Sequence, residues 1–191
     1  MNKIIGILGM QGAIAEHQEI LMQILHTKTR IVKTAKDLDC IDGLILPGGE
    51  STAIGKLLDY FSLKEILQQK IISGLPVFGT CAGLILLAKN IENETNTHLA
   101  TMDITVKRNG YGSQLDSFST NLLIPTIDKN MSIPLVFIRA PYITKTDKDV
   151  QILATLDNKI IAARQKNMLV SSFHPELTCD LRFHQYFLSM I

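Results

Sequence analysis

Apolar residues run almost without interruption over 3–8, and the same continuous character returns at 43–46 and 76–79. Short apolar runs bounded by glycine, proline or polar clusters are how strands buried on both faces read. Between them the apolar positions fall at helical spacing. Ile14, Leu21, Ile24 and Leu25 follow the first run, Leu57 and Leu58 follow the second, and 63–72 forms a further helical stretch. Residues 29–32 supply one more strand, and Leu84-Ile85-Leu86-Leu87-Ala88 opens a helix directly after the run at 76–79. Strands alternating with helices predict a parallel sheet covered by helices on both faces, because parallel neighbours need a crossover that packs back onto the sheet.

After about residue 100 the rhythm changes. Segments 104–107, 119–124, 135–138, 150–156, 159–164 and 168–172 read as strands with few helices between them, so antiparallel strands are expected in the C-terminal half. Asp157-Asn158 has the composition of a hairpin turn. The last helix is expected over 180–191, with Phe183, Phe187, Leu188 and Ile191 on one face. Ser51 or Thr52 is expected to cap the helix after Pro47-Gly48-Gly49-Glu50, and 90–97 is expected to be a surface loop. With no repeat, low-complexity tract or linker, the expected architecture is one three-layer α/β domain over 1–191, with a mostly parallel central sheet.

Composition narrows the function classes. A hydrophobic share of 46% against 19% charged residues describes a packed globule. A net charge of +1, no basic run and no tryptophan argue against nucleic acid or an anionic membrane as partner. No apolar run approaches the length of a membrane span. Three widely spaced cysteines make no disulfide framework, so a reducing, cytoplasmic setting is expected. Two N-terminal patterns mislead. Lys3 followed by apolar residues 4–10 imitates a secretory signal, but Gln11-Gly12 interrupts it and a first strand explains it better. Gly6, Gly9 and Gly12 are spaced G-x-x-G-x-x-G rather than G-x-G-x-x-G, which does not make a dinucleotide fingerprint.

The candidate chemistry centres on Gly79-Thr80-Cys81-Ala82-Gly83 and Ser172-Phe173-His174-Pro175-Glu176. A cysteine among small residues, between a strand and a helix start, has the layout of a nucleophile on a strained elbow. The helix N-terminus beneath the sulfur favours the thiolate. His174 is the candidate proton-handling partner. Glu176 lies two residues on, and in an extended segment it would share a face with His174 and fix the imidazole tautomer. Together they read as a Cys-His-Glu triad. Cys40 and Cys179 read as small buried hydrophobes. His17, His26, His98 and His184 show no ligand spacing and are expected at the surface or satisfied in the core. His174, Glu176 and Cys179 would ligate a metal only by leaving Cys81 idle, so no metal is expected. By residue type alone, a cysteine hydrolase or peptidase and a non-catalytic binding protein also remain open.

These motifs, with Pro47-Gly48-Gly49-Glu50-Ser51-Thr52, resemble the class I (triad) glutamine amidotransferases. Leu8-Gly9-Met10-Gln11-Gly12, Arg108-Asn109-Gly110-Tyr111-Gly112, Gln114-Leu115-Asp116-Ser117-Phe118 and Phe137-Ile138-Arg139-Ala140-Pro141 are similar, within that class, to the glutaminase subunits of pyridoxal 5'-phosphate synthase. The resemblance runs along almost the whole chain. It implies hydrolysis of L-glutamine to glutamate and ammonia without a cofactor, the ammonia passing to a TIM-barrel synthase subunit in a hetero-oligomer. It makes Cys81 the nucleophile and His174 with Glu176 its partners. It places Gly49, Glu50, Ser51, Arg108, Ile138 and Arg139 around glutamine, and Gln11 toward the synthase subunit. The chemistry agrees: N–H groups of Ala82 and of the Gly48-Gly49 turn suit an oxyanion hole, Arg108 a substrate carboxylate, and Glu50 an ammonium. Tyr111 and Ser113 depart from the usual phenylalanine and basic residue of this group.

Overall fold

The computed structural model describes residues 2–110 and 117–191. Tyr111, Ser113 and the start of the 114–118 motif lie outside the described residues.

The N-terminal half alternates as β1 (Lys3–Leu8), α1 (Ile14–Met22), β2 (Thr27–Val32), β3 (Gly43–Leu46), α2 (Ser51–Tyr60), α3 (Lys64–Ile72), β4 (Val77–Thr80) and α4 (Ala82–Leu87). It is followed by β5 (Ala88–Ile91), β6 (Met102–Lys107), β7 (Ser117–Leu122), β8 (Ile133–Ile138), β9 (Tyr142–Thr146), β10 (Gln151–Leu156), β11 (Lys159–Gln165), β12 (Met168–Ser171) and α5 (Arg182–Leu188). The main sheet runs β2-β1-β3-β4-β12-β11-β9-β6-β5, with β10 on β11, while β7 and β8 form a separate antiparallel pair. From β2 to β12 every neighbour is parallel; β12, β11 and β9 then pair antiparallel, as the change of rhythm after residue 100 predicts.

Alternate side chains of the central strands feed two separate cores. Leu44 and Leu46 of β3, Val77 of β4 and Val170 of β12 pack with Ile54, Leu58, Leu67, Ile71 and Leu84 of α2, α3 and α4. Ile45, Phe78 and Leu169 of the same strands pack on the opposite face with Ile20 and Leu21 of α1 and Phe183 and Phe187 of α5. A strand with helices on both sides has no wet face, which is why these strands read as continuous apolar runs.

Four local expectations are corrected. The α1 helix stops at Met22, leaving Leu25 exposed, and His26 takes a positive φ into β2. The apolar stretch at 84–88 does not stay helical, because Ala88 turns extended and starts β5 beside β6. That strand takes Asn90 and Ile91 out of the expected loop. Strand β9 is a further element absent from the expected set; its five residues pair with β6 and β11. The last helix is confined to Arg182–Leu188, its start fixed by Asp180, whose Oδ1 accepts the Arg182 N–H at 2.9 Å. Asp157 and Asn158 both adopt positive φ between β10 and β11, the geometry of a tight hairpin. Among the described residues no helix is long and apolar enough to cross a membrane.

Candidate active site

Strand pairing brings the two candidate motifs together. Strands β4 and β12 lie side by side in parallel, with Thr80 opposite Ser171, and the Cys81 N–H extends that ladder by donating to Ser171 O at 2.8 Å. Cys81 and the 172–176 segment therefore leave the sheet at adjacent carboxyl ends, where open α/β sheets bind ligands. A cleft of about 610 Å³ opens there, lined by Cys81, His174, Gly48, Gly49, Glu50, Ser51, Arg108, Ile138 and Arg139 among others.

Cys81 sits at φ 48°, ψ −98°, a backbone conformation L-residues avoid, between β4 and the first turn of α4. The neighbouring glycines make that turn fit. A Cβ on Gly83 would lie 2.1 Å from the Leu46 carbonyl oxygen, and one on Gly79 would lie 2.6 Å from Gly83. Strand, elbow and helix pack with no room for side chains. The sulfur lies 3.9 Å from the Ile138 carbonyl at the end of β8, and Arg139 follows with positive φ.

His174 Nδ1 lies 2.7 Å from Glu176 Oε1, and both residues are buried. The route to this pairing differs from the expected extended segment: Pro175–Leu177 is a 3₁₀ turn. The turn brings Glu176 back to the ring, and the backbone is held from the other side, where the His174 N–H donates to Val136 O of β8 at 2.8 Å. Phe173 locks the segment edge-on between the rings of Phe137 and Phe183. Burial opposes charge on His174, but hydrogen bonding with Cys81 and Glu176, and the Glu176 charge, raise its pKa to about 10. Burial likewise opposes the Glu176 carboxylate, which His17 and His174 hold below the ordinary range.

The opposite wall is the turn after β3. A Cβ on Gly48 would stand 2.3 Å from His174 Cε1, so only glycine lets the turn approach the imidazole. Two bonds fix the turn from behind: Ala13 N–H donates to Gly48 O at 3.0 Å, and Glu50 N–H to Gln11 Oε1 at 2.8 Å. The α2 helix is capped by Glu50, not by Ser51 or Thr52 as expected. The Glu50 carboxylate accepts the N–H groups of Thr52 and Ala53, and its pKa is lowered by those bonds and by Arg108 against the opposing effect of burial. Ser51 Oγ is buried at the cleft without a hydrogen-bond partner among the described residues. Arg108 lies 3.1 Å from both Glu50 and Glu94 and reaches Thr52 Oγ1 at 3.2 Å, a wall of paired charges. Glu94 falls within the 90–97 stretch expected as a surface loop, and nothing in the sequence marks it as a partner of Arg108. Cys40 and Cys179, expected to be buried, are instead exposed free thiols, because one ends a 3₁₀ turn and the other lies in the loop before α5, whereas Cys81 is buried.

A doubly wound sheet with a cysteine on the strand-to-helix elbow, beside a buried imidazole–carboxylate pair, defines the class: an α/β fold of the class I glutamine amidotransferase type. The chain matches the SNO glutamine amidotransferase family over residues 7–191, and it belongs to that family. Among curated relatives, "Pyridoxal 5'-phosphate synthase subunit PdxT" of Ruminiclostridium cellulolyticum is 53% identical over 189 residues, 99% of this chain and 100% of the relative. The protein of the same name from Carboxydothermus hydrogenoformans is 54% identical over 187 residues, 98% of this chain and 97% of its own. A crystal structure described as a glutamine amidotransferase superposes with a TM-score of 0.91 at 39% identity, covering 97% of each chain.

Proposed function

We propose that this chain is the glutaminase subunit of a pyridoxal 5'-phosphate synthase, one amidotransferase domain that hydrolyses L-glutamine and delivers ammonia to a synthase partner. The observation that carries the reading is the register of β4 against β12, which sets the Cys81 elbow and His174 in one cleft, with Glu176 buried behind the imidazole.

Cys81 is the nucleophile. An imidazolium at His174, held by Glu176, favours the ionised sulfur beside it. The thiolate attacks the side-chain carbonyl carbon of glutamine, forming a C–S bond and an oxyanion. N–H groups of Ala82 and Gly49 face the developing charge. His174 passes its Nε2 proton to the departing nitrogen, the C–N bond breaks, and ammonia leaves a thioester on Cys81. Neutral His174 then takes a proton from water, whose oxygen attacks the thioester; glutamate is released and the thiolate–imidazolium pair returns. Glu176 orients the ring and stabilises its charge.

The amino-acid end of glutamine lies toward Glu50, Ser51, Arg108, Ile138 and Arg139. Arg108 already shares its charge with Glu50 and Glu94, so the wall presents a substrate zwitterion with both signs. The ammonia passes to a TIM-barrel synthase subunit docked over the cleft, with Gln11 at the contact. Three free cysteines agree with a reducing cytoplasm. Glutamate release from L-glutamine, measured with and without the synthase subunit, tests the reading; no glutamate in either case overturns it.

A further inference from the structure

A second pair of imidazoles, unused by this chemistry, lies behind the His174–Glu176 pair. His17 on α1 and His184 on α5 are both fully buried, with His17 Nδ1 3.0 Å from His184 Nε2. The other His17 nitrogen, Nε2, lies 3.2 Å from Thr80 Oγ1 and 3.6 Å from Glu176 Oε2. Glu176 Oε1 faces His174, whereas Oε2 is buried without a hydrogen-bond partner among the described residues.

The proton positions follow by elimination. His184 Nδ1 is buried without a hydrogen-bond partner among the described residues, and a buried orphan N–H is rarer and costlier than a bare acceptor. His184 therefore carries its proton on Nε2 and donates it to His17 Nδ1. Burial opposes charge on both rings, lowering the His17 pKa and taking that of His184 to about 3. A neutral His17 that accepts at Nδ1 has its N–H at Nε2, aimed at Thr80 and at the free oxygen of Glu176. The other charges near His17 are Glu16 on its own helix and His174 beyond Glu176. At 3.6 Å the approach to Oε2 is electrostatic, with Thr80 sharing the donor.

We propose that His17 is a positioning residue of the glutaminase reaction. Its Nε2–H stabilises the outer oxygen of the Glu176 carboxylate and keeps Oε1 turned to His174, while His184 selects the His17 tautomer that can do so. Through Thr80, the residue before Cys81, the same nitrogen also touches the nucleophile strand. The inference rests on the Cys81–His174–Glu176 reading.

The test uses the full chain with its synthase partner. Nitrogen-15 NMR of histidine-labelled wild-type protein is expected to show His17 neutral and protonated at Nε2 between pH 6 and 9; a cationic ring or the Nδ1–H tautomer overturns the proposal without any variant. For His17→Leu, kcat is expected to fall by roughly tenfold with KM little changed. His17→Gln, which keeps a donor and an acceptor, is expected to recover most of that loss. Full kcat in His17→Leu, or a Gln variant as impaired as the Leu variant, overturns the role of His17. An active Cys81→Ser overturns the underlying triad instead, so the two failures are distinguishable.

Discussion

The side-chain oxygen of Gln11 accepts the backbone N–H of Glu50 at 2.8 Å, tying an exposed residue just past β1 to the turn that carries Gly49. Ala13 N–H holds the Gly48 carbonyl of the same turn at 3.0 Å. In a trans peptide the Gly49 N–H points opposite to that carbonyl, so residues 11–13 set the direction of the N–H proposed as oxyanion donor. A partner that moves Gln11 therefore acts on the turn directly. Because ammonia made in bulk water is mostly protonated, weak hydrolysis by the lone subunit and a marked rise in kcat with the synthase subunit are expected. Gln11→Ala should reduce that rise by about fivefold or more. Steady-state kinetics with and without the partner check this, and equal activity in both states refutes gating.

The nucleophile is assigned by substitution and labelling together. Cys81→Ser should lower glutamine hydrolysis by at least ~10³-fold, while Cys40→Ser and Cys179→Ser leave it largely intact. A diazo-ketone analogue of glutamine should add one mass equivalent, located at Cys81 by peptide mapping. Modification at Cys179 is the outcome that contradicts the assignment.

His174→Ala and Glu176→Gln should separate proton transfer from orientation. The first should lose both turnover and thiol alkylation near neutral pH, since nothing remains to charge beside the sulfur. The second should keep part of each, because a glutamine amide still accepts from Nδ1 while the charge that raises the His174 pKa is gone. Alkylation rates followed against pH should show the alkaline limb of Glu176→Gln moved below that of the wild type.

Much of this site is legible in the chain because its key pieces are local. The glycine-bracketed elbow around Cys81 and the two-residue spacing of His174 and Glu176 are sequence features. Their meeting is not, since it depends on Thr80 lying opposite Ser171 in a pairing between distant strands. The Glu50 cap is hidden because Ser51 and Thr52, the better cap formers, follow it directly. The His17–His184 contact also escapes composition, although each residue falls on an apolar helical stripe: His17 between Ile14 and Leu21, His184 one turn before Leu188. Strand β9 is short and ends in three consecutive polar residues, Thr144-Lys145-Thr146, and only its place between β6 and β11 makes it a strand.

The buried imidazoles also set the acid stability of the fold. In the unfolded chain, histidines titrate near pH 6.5, whereas His17 and His184 stay neutral when buried, with His184 down to about 3. Below pH 6.5 the unfolded state binds protons that the folded state refuses, so stability rises with pH there and is lost as pH falls from 6.5 toward 3. The slope reaches up to about 1.4 kcal/mol per pH unit for each such histidine. His174 acts in the other direction: its raised pKa adds stability that is complete below pH 6.5 and is lost as pH climbs toward 10. Urea midpoints from pH 4 to 7 should therefore fall steeply on the acid side for the wild type and less steeply for His184→Phe. Parallel slopes in the two proteins contradict a neutral buried His184.

The approach of Gly48 to the imidazole gives the most local prediction. A methyl group there would stand 3.0 Å from Nδ1 of His174 and 2.3 Å from Cε1, the latter closer than Cβ atoms come to any neighbour, so ring or turn must shift. The ring is pinned by Glu176 on one side and by the Val136-anchored backbone on the other, and the turn by Gln11 and Ala13. Gly48→Ala should therefore fold, because φ at this position is not in the left-handed region, yet lose turnover by about 10²-fold through displacement on the order of an ångström. A thermal midpoint close to wild type with kcat reduced and Cys81 still alkylated is the expected pattern. Wild-type kcat in Gly48→Ala would mean that the turn yields freely and that the close packing of Gly48 on His174 has no part in catalysis.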